Sequence, residues 1–404
     1  MFQITDIDLA IAEAMDELVE IRHHLHAHPE LSLKEYRTSA FIRDRLLKLE
    51  MELLPPFLET DVVAVINSKK RGRNITLRAD MDALPIEEIN TVSYHSTSKG
   101  VMHACGHDGH TAMLLGAAMI LEKFSDHLEG SVRFVFQPGE EVVAAGKELI
   151  EKGVLADPKP DVVLALHGWP GYPAGTICSR PGEMMAAADF FKITITGKGG
   201  HGAGTDQSLN PIVVASKTVE SLSSIPEREF GKEDRIVVSI SKLLGGNTSN
   251  VIPREVVIEG SARYFDTAAG KRIPALFEEV METECGSAGL DYTLDYKRPY
   301  IATVNDAEIV GQCKTITKHW MGESAWIDMD DPVMSSEDFS YYIHGNPGAM
   351  FFLGMGANSP GLHTNTYDFN DQALRNGIRF LVLSTLTFLS RNSMLYIEKN
   401  WINI

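Results

Sequence analysis

The most constraining feature of the chain is the run MHACGHDGH at residues 102–110. Five side chains able to bind a metal or transfer a proton fall within eight of its residues. Thiolate and imidazole groups are the ligands that borderline-soft divalent metals favour. Cys105 and His107 flank a glycine, which permits a turn that points both side chains at one centre. Residues 111–121 are apolar and rich in helix formers, so they predict a buried helix directly after the run. Since a helix N-terminus favours a thiolate, we predict a metal site where the loop enters this helix.

Length and charge limit the class of protein. A chain of 404 residues favours two domains, and its net charge of −18 argues against nucleic acid or an anionic membrane as a partner. The four cysteines are widely spaced and form no CxxC pair, which is typical of a reducing compartment. The N-terminal residues lack a signal-peptide pattern, and no apolar run of about 18 residues occurs. We therefore expect a cytoplasmic protein that binds neither membranes nor nucleic acid.

The pattern of apolar segments predicts two folds in one chain. Short apolar strands alternate with helices over the first part of the sequence, at 62–66, 75–77, 132–136 and 162–166. This pattern predicts an α/β domain with a mixed, largely parallel sheet flanked by helices. The pattern changes near residue 186 to strands and helices in β-α-β-β-α-β order, which is typical of a ferredoxin-like α+β fold. We therefore predict a catalytic domain of residues 1–185 and 297–404, interrupted by an inserted domain of residues 186–296.

Acids and histidines follow several of the predicted strands, where ligands gather in an α/β sheet. Asp80 and Asp82 alternate after one strand, so on an extended chain they face the same way. One could orient a ligand while the other supports it, although a capping role would explain them too. The adjacent carboxylates of Glu140 and Glu141 repel each other unless a cation lies beside them. One could bind metal while the other acts as a general base, and the alternative is a solvated helix N-terminus.

Further candidates lie along the rest of the chain. His167 ends an apolar strand, His363 lies in a loop near the C-terminus, and Glu337 belongs to an acidic pair upstream of it. His201 follows the glycine-rich residues 197–200, which lack the downstream acidic residue of a dinucleotide-binding motif. An imidazole presented by such a loop could stabilise an oxyanion, and an ordinary surface histidine is the alternative.

These motifs, in this order, resemble the metal-dependent aminoacylase and carboxypeptidase superfamily. The resemblance begins at RHHLHAHPEL, residues 22–31, and extends over nearly the whole chain to residues 361–363. The most similar branch holds hippurate hydrolases, bacterial N-acyl-amino-acid amidohydrolases and plant auxin-conjugate amidohydrolases. It implies a catalytic domain with two adjacent divalent metals and an inserted satellite domain that usually dimerises.

The resemblance also implies roles for individual residues. The metal ligands would be Cys105, His107, Glu141, His167 and His363, with Cys105 able to bridge both metals as thiolate. Glu140 would be the general base, Asp80 would orient a ligand or tune the metals with Asp82 in support, and His201 would stabilise the oxyanion. Asn250 and Arg263 resemble positions that hold a substrate carboxylate, for which the guanidinium fork is suited.

One departure from the family pattern concerns the loop after the predicted base. The family usually has alanine before the two glutamates and a glycine-rich stretch after them. This chain has Gly139 and the sequence VVAAG at 142–146, so we expect a stiffer and more apolar loop.

The predicted function is hydrolysis of the amide bond of an N-acyl amino acid, with zinc, manganese, cobalt or nickel as the two metals. We expect a homodimer or homotetramer. A dipeptidase or exopeptidase of the same superfamily is the alternative among enzymes. A non-catalytic metal-storage or metal-sensing protein is an alternative of another class, but the extra carboxylate beside Glu141 argues against it.

Overall fold

The computed structural model describes residues 3–49, 51–68, 70–204 and 209–390. It divides the chain into two compact units. The first comprises the described residues up to Met184, Val304–Asp331 and those from Asp338 onward, and the second comprises Met185–Thr303 with Pro332–Glu337. The second unit extends past the predicted boundary at residue 296 because its last strand, Asp291–Tyr300, crosses that position.

Helices and strands occur in the following order along the described chain. The helices are α1 (Ile4–Ala27), α2 (Tyr36–Leu47), α3 (His107–Lys123), α4 (Glu140–Val143), α5 (Ala145–Glu151), α6 (Pro211–Ser223), α7 (Ile225–Glu229), α8 (Thr267–Ala288), α9 (Ala307–Met321), α10 (Ser340–Ile343) and α11 (Asp371–Leu389). The strands are β1 (Glu52–Leu53), β2 (Val62–Asn67), β3 (Arg73–Asp80), β4 (Gly130–Gln137), β5 (Val162–Trp169), β6 (Ile177–Ser179), β7 (Gly182–Met185), β8 (Ala187–Thr196), β9 (Gly200–His201), β10 (Val237–Gly245), β11 (Val251–Ile252), β12 (Glu255–Tyr264), β13 (Asp291–Tyr300), β14 (Thr303–Asn305), β15 (Trp326–Asp328) and β16 (Gly348–Gly354).

The first unit is built on an eight-stranded sheet in the order β1-β2-β4-β3-β5-β16-β6-β15. Its central strands β4, β3, β5 and β16 are parallel neighbours, while β1, β2 and β6 make antiparallel pairs. The central strands are buried along nearly their whole length, as expected for a sheet covered on both faces. The predicted mixed, largely parallel α/β sheet is confirmed.

The second unit is built on an antiparallel sheet in the order β10-β12-β8-β13. Along β12 the residues alternate between buried and partly exposed, because one face of the sheet packs against helices. Helices α6 and α8 supply the other half of this core, including Leu222, Ile273 and Phe277. This confirms the α+β ferredoxin-like fold predicted for the inserted segment.

Parallel strands β3, β4 and β5 bring chemically active residues to one edge of the first sheet. Asp80 at the end of β3 pairs with Gln137 at the end of β4, and His167 lies near the end of β5. The predicted helix entry is also confirmed, since α3 starts at His107 after Gly106, whose φ of 86° is left-handed. Among the described helices, none is long and apolar enough to cross a membrane.

Candidate metal centre

The predicted ligand Cys105 lies at the centre of a tight cluster in the first unit. Its Sγ is 3.5 Å from Nε2 of His167 and 3.3 Å from Nε2 of His363. That nitrogen of His363 is 3.2 Å from Oε1 of Glu141. The same oxygen of Glu141 lies 3.8 Å from Nε2 of His107. The fold therefore brings together the five residues predicted as ligands, from loops as far apart in sequence as 105 and 363.

Asp82 orients His107. The ring Nδ1 of His107 donates to Oδ1 of Asp82 at 3.2 Å, so Nε2 is the nitrogen that faces the cluster. Within the described chain, this Nε2 is buried and has no hydrogen-bond partner. A carboxylate behind a histidine with its far nitrogen open is the usual arrangement around a metal-binding imidazole. The other oxygen of Asp82 accepts from the Ser32 hydroxyl and from the backbone N–H of Glu141.

Asp80 supports a different histidine. Its Oδ1 accepts from Nδ1 of His110 at 2.6 Å, and its Oδ2 accepts from Arg78 at 2.8 Å. The Nε2 of His110 in turn accepts the backbone N–H of Gly168 at 2.7 Å. Both nitrogens of His110 are thus engaged, so it holds the cluster in place and offers no lone pair to a metal. We predicted that Asp80 orients a ligand or tunes the metals with Asp82 in support; in the structure Asp82 hydrogen-bonds to His107 and Asp80 hydrogen-bonds to His110.

His167 is held in a neutral form suited to a metal. Its Nδ1 donates to the carbonyl of Gly168 at 2.8 Å, so Nε2 faces Cys105 with its lone pair. Burial lowers the pKa of His167 well below its usual range. Asp80 and His110 therefore hold the backbone at Gly168, whose carbonyl orients the His167 ring.

The buried carboxylates, thiol and imidazoles of the cluster together favour a bound cation. Burial raises the pKa of the Cys105 thiol well above its usual range, and the charges of Glu141 and Glu140 raise it further. Burial alone would lower the pKa of His107, but the surrounding carboxylates outweigh it and raise that pKa to about 10. Divalent metals binding here would displace both protons and neutralise the carboxylates. Together with the open Nε2 of His107, this donor set of one sulfur, three imidazoles and a carboxylate fits divalent metals.

His363 reaches the cluster from a strained loop. Its φ of 62° places it in the left-handed region, which a residue with a side chain rarely adopts. The backbone N–H of His363 donates to the carbonyl of Ala104 at 2.8 Å, which fixes the loop beside Cys105. About half of the His363 side chain is exposed, so this side of the cluster opens to solvent.

Glu140 begins the short helix α4 directly before Glu141. It is buried, at 6% exposure, and its charge acts on the Cys105 thiol. The preceding Gly139 has a left-handed φ of 65°, and an added Cβ would lie 3.0 Å from Leu33 and from Val143. The tight turn at Gly139 therefore sets the direction in which Glu140 and Glu141 leave strand β4.

The remaining predicted site residues, apart from those of the cluster, lie in the second unit. His201 is exposed on β9, with its Nδ1 accepting the backbone N–H of Ala203.

The residues predicted to bind substrate differ in exposure. Asn250 is exposed and accepts the Thr248 hydroxyl. Arg263 donates to the carbonyl of Met334 and to the hydroxyl of Ser336. Glu337 belongs to the same unit and is buried. The roles predicted for these four residues stay predictions.

Sequence reasoning missed two buried arginines that bind carboxylates next to the cluster. Arg78 donates to Asp80, Gln137 and Asp338, joining β3 and β4 to the chain near α10. Its position two residues before Asp80 on the same strand, and hence on the same face, was the available signal.

Arg22 is a second residue of this kind. Its buried guanidinium binds both Asp108, next to His107, and Asp368, in the loop after His363.

Comparisons with known proteins agree with this geometry. The family model described as Peptidase family M20/M25/M40 matches residues 76–386. An N-acetyl-L-cysteine deacetylase from Bacillus subtilis (strain 168) is 37% identical over 378 residues, covering 93% of this chain and 89% of that protein. Thermostable carboxypeptidase 2 from Saccharolobus solfataricus is 34% identical over 389 residues, covering 94% and 98%. A solved Bacillus subtilis structure, described as a dinuclear metal binding peptidase, is 30% identical with a TM-score of 0.80, covering 94% and 99%.

Proposed function

The chain belongs to peptidase family M20/M25/M40 and is a metallohydrolase that acts on C–N bonds; on this premise, we propose that it hydrolyses the amide bond of N-acyl amino acids. The observation that supports the proposal is the buried carboxylate of Glu140, adjacent to a cluster of five side chains whose types suit metal ligands. A storage or sensing site needs ligands but no further carboxylate. A hydrolase needs a base beside the ligands.

We propose two divalent ions, held by Cys105, His107, Glu141, His167 and His363. When bound, such ions lower the pKa of water and polarise a carbonyl group. Glu140 takes the proton from the attacking water and delivers it to the nitrogen of the leaving amino acid. His201 donates a hydrogen bond to the oxyanion, in its own subunit or in a partner's. Asn250 and Arg263 bind the substrate carboxylate, with Glu337 close to the substrate. Zinc, manganese, cobalt and nickel all suit this donor set.

A carboxypeptidase or dipeptidase activity is the second candidate. One relative of similar identity and coverage is named a thermostable carboxypeptidase, and another is named an N-acetylcysteine deacetylase. Both reactions cleave a C–N bond beside an amino acid, so the cluster serves either. We favour the N-acyl substrate because the structure shows exposed apolar side chains, Val142 and Val143, one and two positions after Glu141. An apolar acyl group would cover such a surface.

We further propose that the first unit is the catalytic domain and that the second is a satellite domain through which two chains dimerise. Strand β10 lies at the edge of its sheet and exposes Leu243 and Leu244, each by about half. Helix α6 exposes Ile212 and Val213. An exposed apolar edge strand is a template for pairing with another chain.

We also propose a cytoplasmic location. The four cysteines are buried and unpaired, which fits a reducing compartment.

A substrate panel tests the proposed function. Protein purified without added metal is analysed for metal, reloaded separately with each of the four ions, and assayed on N-acetyl and N-benzoyl amino acids and on free dipeptides. The proposal expects turnover of the N-acyl amino acids to exceed turnover of the dipeptides. Higher kcat/KM for dipeptides would establish the second candidate, and no turnover of either class with any metal would overturn both.

A further inference from the structure

Glu35 is a buried carboxylate that the proposed chemistry does not use. It lies directly before α2 and is fully buried. Its Oε1 accepts the backbone N–H of Leu33 at 2.9 Å and of Gly139 at 3.0 Å. Its Oε2 accepts the hydroxyl of Thr60 at 3.0 Å. One carboxylate thus joins the start of α2 to the turn that precedes Glu140, 104 residues further along the chain.

The contact to Gly139 falls at the point that directs the general base. Gly139 is the left-handed residue between strand β4 and helix α4, and its carbonyl accepts the N–H of Ala145. Its own N–H is satisfied by Glu35. On the other side of Glu140, the N–H of Glu141 is held by Asp82. Two buried carboxylates therefore fix the backbone on either side of Glu140.

The chain keeps this carboxylate buried although burial is unfavourable. Burial raises the pKa of Glu35 to about 7, and the charge of Asp82 adds to the effect. An apolar side chain would avoid that cost but would leave the N–H of Gly139 without its acceptor. The free-energy cost of burying Glu35 is therefore explained if the protein needs the turn at Gly139 to stay in a fixed position.

We infer that Glu35 is a positioning residue for the general base: by holding the N–H of Gly139, it fixes the turn from which Glu140 reaches the metal cluster. This inference rests on the proposed function, because it assigns Glu35 a role through Glu140. It predicts that the geometry of the acceptor, more than its charge, is what the reaction needs.

Three substitutions separate geometry from charge. Glu35→Gln keeps an oxygen at the Oε1 position, and its amide NH₂ can donate to the Thr60 hydroxyl. Glu35→Asp keeps the charge but is one methylene too short to reach both backbone N–H groups. Glu35→Ala removes the acceptor altogether. We expect kcat to fall about 10- to 100-fold in the alanine and aspartate variants, with metal content and KM unchanged, because small misplacements of a catalytic group cost that much. The glutamine variant should stay within a few-fold of wild type.

Hydrogen exchange gives a readout that does not depend on activity. In Glu35→Ala and Glu35→Asp, amides of residues 137–145 should exchange faster than in wild type. The control is Glu30→Ala, because the Glu30 carboxylate bonds to Arg37 and Thr38 at the start of α2 and, in the described chain, makes no bond to the Gly139 turn. This control should leave both kcat and exchange at 137–145 unchanged.

The outcomes distinguish the two proposals. An aspartate variant with wild-type kcat, or a glutamine variant as impaired as the aspartate one, would overturn the positioning role, and this comparison holds even if the alanine variant fails to fold. A wild-type protein inactive on every substrate would overturn the proposed function alone. In that case the exchange data still decide whether Glu35 fixes the turn.

Discussion

His107 and Asp82 form an imidazole–carboxylate pair, joined by a 3.2 Å contact between Nδ1 and Oδ1. Within the described chain, Nε2 of the same ring is buried and has no hydrogen-bond partner. The carboxylate fixes the tautomer that exposes Nε2 and makes that nitrogen more basic. The pair therefore prepares His107 to bind a metal before any metal arrives.

Replacing Asp82 tests this preparation. We expect Asp82→Asn to weaken metal binding about 10- to 100-fold, because the neutral amide orients the ring less firmly and no longer raises its basicity. Competition with a chromophoric chelator measures the affinity. The matched control is Ser32→Ala, which removes only the hydroxyl that donates to Asp82 and should have a smaller effect. An Asp82→Asn variant that binds metal as tightly as wild type would show that the pair is incidental.

The two left-handed residues that flank α4 should respond in opposite ways. Gly139→Ala places a Cβ in a left-handed position 3.0 Å from Leu33, so we expect a loss of about 1–2 kcal/mol in the free energy of unfolding and a lower kcat. Ala144 has a φ of 51° and already carries a Cβ. Ala144→Gly should therefore be neutral or raise stability by up to about 1 kcal/mol, after the entropy cost of glycine. Urea titration of both variants checks this, and equal effects would contradict it.

Glu35 should make stability depend on pH. Its pKa is about 7 in the folded protein against an ordinary value of 4.5, so the folded state binds its proton more tightly. That contribution to the free energy of unfolding is fully present below pH 4.5 and is lost as the pH rises through 7. Because glutamine does not titrate, stability of wild type relative to Glu35→Gln should fall by about 2–3 kcal/mol between pH 5 and pH 8. A pH-independent difference between the two proteins would show that Glu35 is ionised throughout.

The exposed edge of the satellite sheet predicts a site of self-association. A charge at Leu243 should oppose pairing of β10 with a second chain, so Leu243→Lys should shift the protein toward monomer. Light scattering coupled to size exclusion measures the mass. Leu47→Lys, at an equally apolar and 70% exposed position on α2 in the other unit, is the control and should leave the mass unchanged. A wild-type protein that is monomeric, or a Leu243→Lys dimer, would contradict the proposal.

The sequence was sufficient for much of the fold and for the composition of the cluster. Apolar strands at 75–77, 132–136 and 162–166 predicted the centre of the first sheet, because buried parallel strands read as continuous apolar runs. Since parallel strands end at one edge, the sequence alone places Asp80, Glu140 and His167 together. The run at 102–110 pointed to Cys105 and His107 on its own, and the resemblance to a known family implied a ligand role for the loop histidine His363.

What the sequence could not supply was the pairing of supports with ligands. We expected Asp80 and Asp82 to face the same way on an extended chain, but β3 ends at Asp80 and the two carboxylates hydrogen-bond to different histidines. The sequence around Glu35 does not distinguish it from other acids that precede a helix. Its role is visible only in a contact across 104 residues, and no local pattern encodes such a contact.

We propose Glu140 as the base beside a metal cluster that binds its ions without it. The most direct test is Glu140→Gln, assayed with the best N-acyl amino acid from the panel alongside metal analysis of the same protein. We predict a kcat lower by about 10²–10⁴ with metal content equal to wild type. Turnover close to wild type on every substrate would show that Glu140 is not the base, and loss of the metals along with the activity would show that it is needed for metal binding.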